Sequence, residues 1–155
     1  MSLDPGLQVL RRSRPMLAPG DIFAWQHARR PGRFHFGRVV STEANLTGIP
    51  EVHCILIYLY RAWSLDKHAI PDLRHDLLLL PPIGTNRLGW TRGYFETVAR
   101  QPLTKADVLP QHCFTDGASF LDEHGRYLPG PVEPVGRYGL AGIGLIDELI
   151  GIAFD

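Results

Sequence analysis

Gly20–Val40 reads GDIFAWQHARRPGRFHFGRVV, and it is the part of the chain that says most about its architecture. Apolar and polar residues alternate with a period of two on both sides of a central Arg-Pro-Gly turn, which is typical of a half-buried β-hairpin. Successive side chains of a strand point to opposite faces, so Phe23 and Trp25 share the face opposite to Ile22. Because both faces carry large apolar side chains, we expect the hairpin to be covered on more than one side.

The return strand of the hairpin and the strand that follows it obey the same rule. Phe34, Phe36 and Arg38 share one face of the return strand. A second strong strand is predicted at 52–60, and both of its faces are apolar: Cys54, Leu56, Tyr58 and Tyr60 on one, His53, Ile55, Ile57 and Leu59 on the other. Such a strand lies centrally in a sheet or between two layers.

Shorter elements fill the rest of the chain. Strands are predicted at 94–98, at 113–114 and on both sides of a hairpin loop at 122–125. The Leu77–Leu80 run ends at Pro81-Pro82, which favours a strand that leaves the sheet, because the residue before proline avoids helical angles. Residues 83–92 are predicted to form a loop.

Two short helices are predicted near the C-terminal end of the chain. Thr104 can cap a helix over 105–109, with Asp107 completing a capping box. Apolar residues recur at helical spacing from Ile146, with Asp147 in the first turn. The sum is a mainly β or α+β fold: an antiparallel sheet of six to eight short strands, open or barrel-like, with one or two short helices including a C-terminal one.

The length of 155 residues favours one domain. Residues 1–18 are polar, basic and interrupted by prolines, and we interpret them as a loosely packed N-terminal arm on a single β-rich domain over 19–155. The chain shows no apolar signal core and no run of about 18 apolar residues, so we expect a cytoplasmic protein without a membrane partner. Cys54 and Cys113 are predicted to be buried thiols.

Charge is unevenly distributed although the net charge is zero. Residues 1–40 hold seven arginines and two acidic residues, whereas 111–155 hold two arginines and seven acidic residues. Either the two ends face each other across the fold, or the surface is polarised and steers a charged partner. The domain as a whole is not basic, so nucleic acid is not an expected partner.

No catalytic motif stands out in this sequence. A phosphate-binding loop, a His-Glu-x-x-His pair and a Gly-x-Ser-x-Gly elbow are all missing, and we expect no cofactor and no catalytic residue. His53-Cys54 and His112-Cys113 offer one ligand per strand face, which is too few for a metal site. His27 and His35 are interpreted as cross-strand neighbours at the rim of the hairpin.

The segment Trp90–Phe95 is the second aromatic block, and it allows two interpretations. In one, Trp90 and Phe95 fill the core, since large aromatic side chains dominate burial. In the other, Trp90, Arg92 and Tyr94 form a recognition patch, because tryptophan, tyrosine and arginine are the usual anchors of interfaces.

With these motifs in view, the chain resembles the immunity protein 26 family of bacterial polymorphic toxin systems. The resemblance spans about residues 18–120 and is carried by Gly20–Ala24, Phe36–Val39, Ile57–Tyr60, Pro81–Ile83 and Trp90–Phe95. It implies a small, mostly β, cytoplasmic protein that binds a toxin made by a neighbouring gene and blocks it. Some related sequences carry a phosphotriesterase name, which makes a small hydrolase the alternative.

Three hypotheses about function follow. The first is a non-enzymatic immunity protein whose partner contacts come from exposed members of a set of five residues: Trp25, Arg29, Arg30, Trp90 and Arg92. The second is a small hydrolase, which requires a pocket where several of five side chains converge: His27, His35, His53, Asp21 and Glu96. The third is an oligomer whose β-edges pair.

Overall fold

The computed structural model describes residues 6–155, which form two β-sheets and a C-terminal helix. The larger sheet is antiparallel and is built from β1 (Asp21–Trp25), β2 (Phe34–Ala44), β3 (Cys54–Ser64), β4 (Leu78–Thr85) and β5 (Glu96–Arg100). The order of its strands is β4-β3-β2-β1-β5, so the predicted hairpin and β3 occupy its centre.

The smaller sheet is built from β6 (Cys113–Thr115), β7 (Phe120–Leu121), β8 (Tyr127–Leu128) and β9 (Val135–Arg137). Its order is β8-β7-β6-β9, and β9 runs parallel to β6. The helices are α1 (Leu88–Thr91), one 3-10 turn (Lys105–Asp107) and α2 (Ile143–Ala153). The mainly β fold with a C-terminal helix is confirmed, and its nine described strands form two open sheets.

The register of the hairpin confirms that both of its faces are buried. Phe23 pairs with Gly37 and Trp25 with His35, so these four residues share one face. That face packs against α2, through Ile146 and other apolar side chains of the helix. The opposite face of the sheet contributes to a second apolar cluster, in which Phe114 of β6 packs with side chains of β1, β2 and β3: Ile22, Ala24, Phe36, Leu56 and Tyr58. The two layers on either side of the sheet explain the apolar character of both faces.

The predicted end of β4 is wrong. The strand continues through Pro81 and Pro82 to Thr85, and the predicted loop over 83–92 contains its last three residues and α1. Proline lacks the N–H that a central strand needs, but β4 is an edge strand with a register shift at this point. The sheet therefore tolerates both prolines.

The start of the C-terminal helix also differs from its prediction. Gly142, in extended conformation, precedes a helix that begins at Ile143, so Asp147 lies in the second turn and not in the first. The capping box of Thr104 and Asp107 is confirmed, although its helix is limited to 105–107. Within residues 6–155, the structure contains no helix of the length and apolarity needed to cross a membrane.

Residues 6–18 pack against the domain, and we call them the strap. Leu7 forms a β-bridge with His27, and the Leu10 N–H donates to the Gly93 carbonyl at 2.7 Å. Leu7 and Leu17 are buried. The prediction of loose packing is therefore wrong for the strap, because its backbone and its leucines find partners far along the chain. Residues 1–5 of the predicted arm lie outside the described residues.

A substitution at Gly37 can test how closely the hairpin is packed. A Cβ at this position meets the Phe23 Cζ at 2.3 Å and the Tyr58 carbonyl oxygen at 2.8 Å. Gly37→Ala is therefore expected to lower the free energy of unfolding by about 1–3 kcal/mol in urea titration. In Gly144→Ala, the added Cβ has no neighbour within 4 Å and a better helix former enters α2, so this control leaves stability unchanged or higher. Equal stabilities of Gly37→Ala and the unchanged protein contradict the packing argument.

Substitutions at Asp147 can test how the strap is attached to the rest of the protein. Its Oδ1 accepts hydrogen bonds from the Leu7 N–H at 3.1 Å and from the His27 Nε2 at 3.0 Å. Asp147→Ala leaves both donors without that acceptor, so we expect a loss of about 1 kcal/mol of stability and faster hydrogen exchange at the Leu7 amide. Asp147→Asn keeps one acceptor oxygen and is expected to retain most of the protection. Unchanged exchange in Asp147→Ala contradicts this role.

Candidate partner-binding surface

The two tryptophans predicted as partner contacts lie in the core. Trp25 and Trp90 have no exposed surface. The Trp25 ring stacks on His35 with 4.7 Å between the ring centroids, and Trp90 packs edge-on against Phe23 at 5.0 Å. Phe95 is equally buried, so the core interpretation of this aromatic block is correct for Trp90 and Phe95. Neither tryptophan is available as a surface anchor in the folded protein.

Arg29 and Arg30 hold the C-terminal end of α2. Arg29 forms an ion pair with the Asp155 carboxylate. The Arg30 Nη2 donates to the Phe154 carbonyl at 2.7 Å, and its guanidinium lies 4.6 Å from the centre of the Phe154 ring. These contacts give both arginines a role within the chain, and their contact with a partner stays a prediction.

Arg92 is exposed and belongs to a larger group of arginines. The strap crosses α1 and the turn after it: the N–H groups of Leu10 and Arg11 donate to the Gly93 carbonyl, and the Ser13 N–H donates to the Trp90 carbonyl at 3.1 Å. This crossing brings together five arginines that we call the arginine surface: Arg11, Arg12, Arg14, Arg87 and Arg92. The Arg87 side chain also donates to the Pro15 carbonyl at 3.2 Å.

Gly93 allows the strap to approach α1 this closely. Its φ is +88°, a backbone conformation that favours glycine. A Cβ at Gly93 lies only 3.0 Å from the Arg12 backbone nitrogen and from the Val9 Cγ1. The glycine therefore turns its carbonyl toward the strap and leaves space for it at the same time.

Among residues 6–155, the positive charge of the arginine surface is not balanced by ion pairs. None of its five arginines forms a salt bridge with another residue of 6–155, and neither 6–20 nor 86–95 contains an acidic residue. Two acidic residues of the described part border these segments, and both are engaged elsewhere: Asp21 with Arg100 at 3.3 Å and Glu96 with Lys67 at 3.0 Å. The uneven charge of the sequence thus persists at the surface, although Arg29 and Asp155 do pair across the fold.

The residues named for a hydrolase do not form a common pocket. His27 contacts Asp147, Asp21 pairs with Arg100, Glu96 pairs with Lys67, and His53 is exposed beside the Glu43 carbonyl. Only His27 and His35 come near each other, both against the Phe154 ring. The interpretation of these two as rim histidines is wrong, because they are 3% and 2% exposed.

Cys54 and Cys113 are buried free thiols, as predicted. Burial raises the pKa of the Cys54 thiol, which makes it a poor nucleophile at neutral pH. Across 6–155, no three side chains of histidine, cysteine, aspartate or glutamate are grouped so that they could hold a metal ion.

A buried polar chain that the sequence analysis missed links the two sheets. The Tyr58 hydroxyl and the His112 Nε2 are 2.5 Å apart, and the His112 Nδ1 pairs with the Glu123 carboxylate. The Leu109 N–H donates to the Tyr58 oxygen at 3.1 Å. Burial raises the pKa of Tyr58 to about 12, so its hydroxyl stays protonated. Tyr58 has no exposed surface, and this series of hydrogen-bonded side chains therefore serves as a structural link between the two sheets.

A mainly apolar cleft of about 220 Å³ is lined by residues of β4, of β9 and of α2. Leu80, Ile83, Val135, Leu145 and Leu149 contribute to its walls. None of the five residues named for a hydrolase lines this cleft.

The arginine surface contains Arg92, which belongs to the five partner contacts predicted from the sequence, and four further arginines. The only signal for these four in the sequence was the uneven charge.

His35 makes stability depend on pH. Burial, assisted by the charges of Arg33 and Arg30, lowers the pKa of His35 from 6.5 to about 4. Between these two values the unfolded chain takes up a proton that the folded protein excludes, so stability is complete above pH 6.5 and falls as the pH drops toward 4. We expect His35 to account for a loss of about 2 kcal/mol near pH 5.

Urea titration at pH 7.5 and pH 5 checks this expectation. His35→Phe retains an aromatic ring against Trp25 and removes the titrating group, so the loss between the two pH values becomes smaller. His68 is exposed, and His68→Gln serves as the control that leaves the pH dependence unchanged. An undiminished loss in His35→Phe contradicts the assignment.

Comparison with known proteins adds one finding. The family model described as Immunity protein 26 matches residues 18–123, which is more than half of the chain. Searches of curated proteins and of solved structures found no significant match. The match covers the five-stranded sheet, α1 and the first two strands of the smaller sheet. The chain therefore belongs to the Immunity protein 26 family.

Proposed function

We propose that this chain is a non-enzymatic immunity protein that binds a toxin encoded by a neighbouring gene and blocks it by covering part of its surface. The observation that carries this proposal is the arginine surface, an exposed area whose positive charge has no acidic partner within the described chain. Family membership supports the same function through the family name. The protein would act in the cytoplasm, where a cell meets a toxin of its own making.

The arginine surface suits binding better than catalysis. Inhibition by coverage needs an interface of about 800 Å² per partner and a few anchoring side chains, among which arginine is common. Arginine stays charged at all relevant pH values and offers five N–H donors to carboxylates. The histidines and carboxylates that the hydrolase alternative requires do not converge on one pocket, and His27, for example, is engaged with Asp147.

Co-expression tests the proposal. The toxin encoded by the adjacent reading frame is produced in a host strain with and without this protein. We expect growth to be restored only in its presence, and the two proteins to elute together as a stoichiometric complex with a mass that also reports the oligomeric state. Absence of both rescue and complex contradicts the proposal.

A parallel assay addresses the alternative. The purified protein is incubated with a phosphotriester, with and without added zinc. We expect no turnover above that of the buffer. Turnover that is lost in His27→Ala or His35→Ala would overturn the non-enzymatic assignment.

A further inference from the structure

We propose that the arginine surface recognises an acidic face of a protein from which an apolar side chain projects. The identity of that protein as a toxin rests on the proposed function; the chemistry of recognition does not. Three observations carry the inference: exposed apolar residues among the arginines, a backbone held in place before binding, and the burial of the neighbouring aromatic rings.

Three large apolar side chains are exposed among the five arginines. Met16 is 84% exposed, Val9 50% and Leu88 38%. Val9 flanks the Gly93 turn, Leu88 begins α1, and the Met16 carbonyl accepts a hydrogen bond from Arg100 at 2.5 Å. Apolar groups surrounded by charged ones are the usual anatomy of a protein interface, where methionine and arginine are both enriched. An apolar side chain of the partner can therefore pack here while its carboxylates meet the arginines.

The strap is ordered before any partner binds. Backbone hydrogen bonds from Leu10 and Ser13 fix it to the Gly93 turn and to α1, and the side chains of Arg87 and Arg100 hold the Pro15 and Met16 carbonyls. A preformed binding surface loses little conformational entropy on association. The arginine side chains alone must become ordered, and their planar guanidinium groups bind carboxylates in a bidentate manner.

The same region is poorly suited to nucleic acid. Proteins that bind single strands stack bases on exposed aromatic rings, and here Trp90 and Phe95 are completely buried. The large exposed side chains close to the arginines in sequence, Val9, Met16 and Leu88, are not aromatic, and the chain as a whole carries no net charge. A patch of arginines around aliphatic side chains complements carboxylates next to an apolar residue better than it complements a phosphate backbone.

Charge reversal on matched sites tests the inference with the toxin. The triple variant Arg11→Glu, Arg14→Glu, Arg92→Glu changes the arginine surface. The control Arg61→Glu, Arg126→Glu, Arg137→Glu makes the same change in net charge at exposed arginines of β3, β8 and β9 and their borders. Circular dichroism and urea titration confirm that both variants fold.

The association rate with the toxin is then measured at low and high salt. We expect the triple variant to associate at least about tenfold more slowly, the control less than about twofold, and the rate of the unchanged protein to fall steeply with salt. Met16→Ala should dissociate several-fold faster, whereas Leu65→Ala, at a residue 76% exposed on another loop, should not. Rescue by the unchanged protein together with equal rates for both triple variants overturns this inference and leaves the proposed function intact.

A second measurement is independent of the toxin. Random dodecapeptides displayed on phage are selected on the unchanged protein in the presence of excess triple variant. We expect enrichment of peptides with aspartate or glutamate around an apolar residue, and their loss when the arginine surface is reversed. Enrichment without acidic residues, or tighter binding of a 20-base-pair DNA duplex than of any selected peptide at physiological salt, overturns the inference.

Discussion

Burial of the central strands on both faces is the constraint on which the rest of this structure depends. β2 and β3 carry large apolar side chains in both directions, and water has to be excluded from both. α2 covers one face, with Ile146 and Ile150 against the sheet, and the smaller sheet contributes Phe114 to the other. Polar contacts also hold each covering layer in position. Arg29 pairs with Asp155 at the end of α2, and the hydrogen-bonded side chains of Tyr58, His112 and Glu123 join the smaller sheet to β3.

The need to bury apolar side chains also explains the position of the strap. Phe23, Trp90 and Phe95 form an aromatic group at the margin of the sheet, and the strap runs over α1, which carries Trp90. Its leucines turn inward because burial stabilises them, so the arginines between them are left facing solvent. A surface with a strong positive charge thus arises from a segment whose backbone and apolar residues complete the fold. Within the strap, the backbone and the leucines complete the fold, whereas the side chains of Arg11, Arg12 and Arg14 are exposed.

Histidine and carboxylate groups serve mainly internal contacts in the described chain. His27 joins the hairpin, the strap and α2 through Asp147, and His112 joins the two sheets through Glu123. Such pairs stabilise a specific arrangement of layers, because a buried polar atom without a partner costs free energy. The five arginines of the arginine surface, in contrast, form no ion pair with any residue of 6–155, so their charge is directed to solvent.

The hairpin, the two-faced β3, the capping box at Thr104 and the family could be predicted from the amino-acid sequence, because each depends on local alternation, spacing or ordered motifs. The burial of His27 and His35 and the passage of β4 through two prolines at a sheet edge depend on contacts between distant segments and became visible only in the folded chain. The same is true of the common surface of Arg11, Arg14 and Arg92. Their proximity arises from contacts such as the hydrogen bond of the Leu10 N–H to the Gly93 carbonyl. These two residues are 83 positions apart, and no local pattern encodes a contact of that separation.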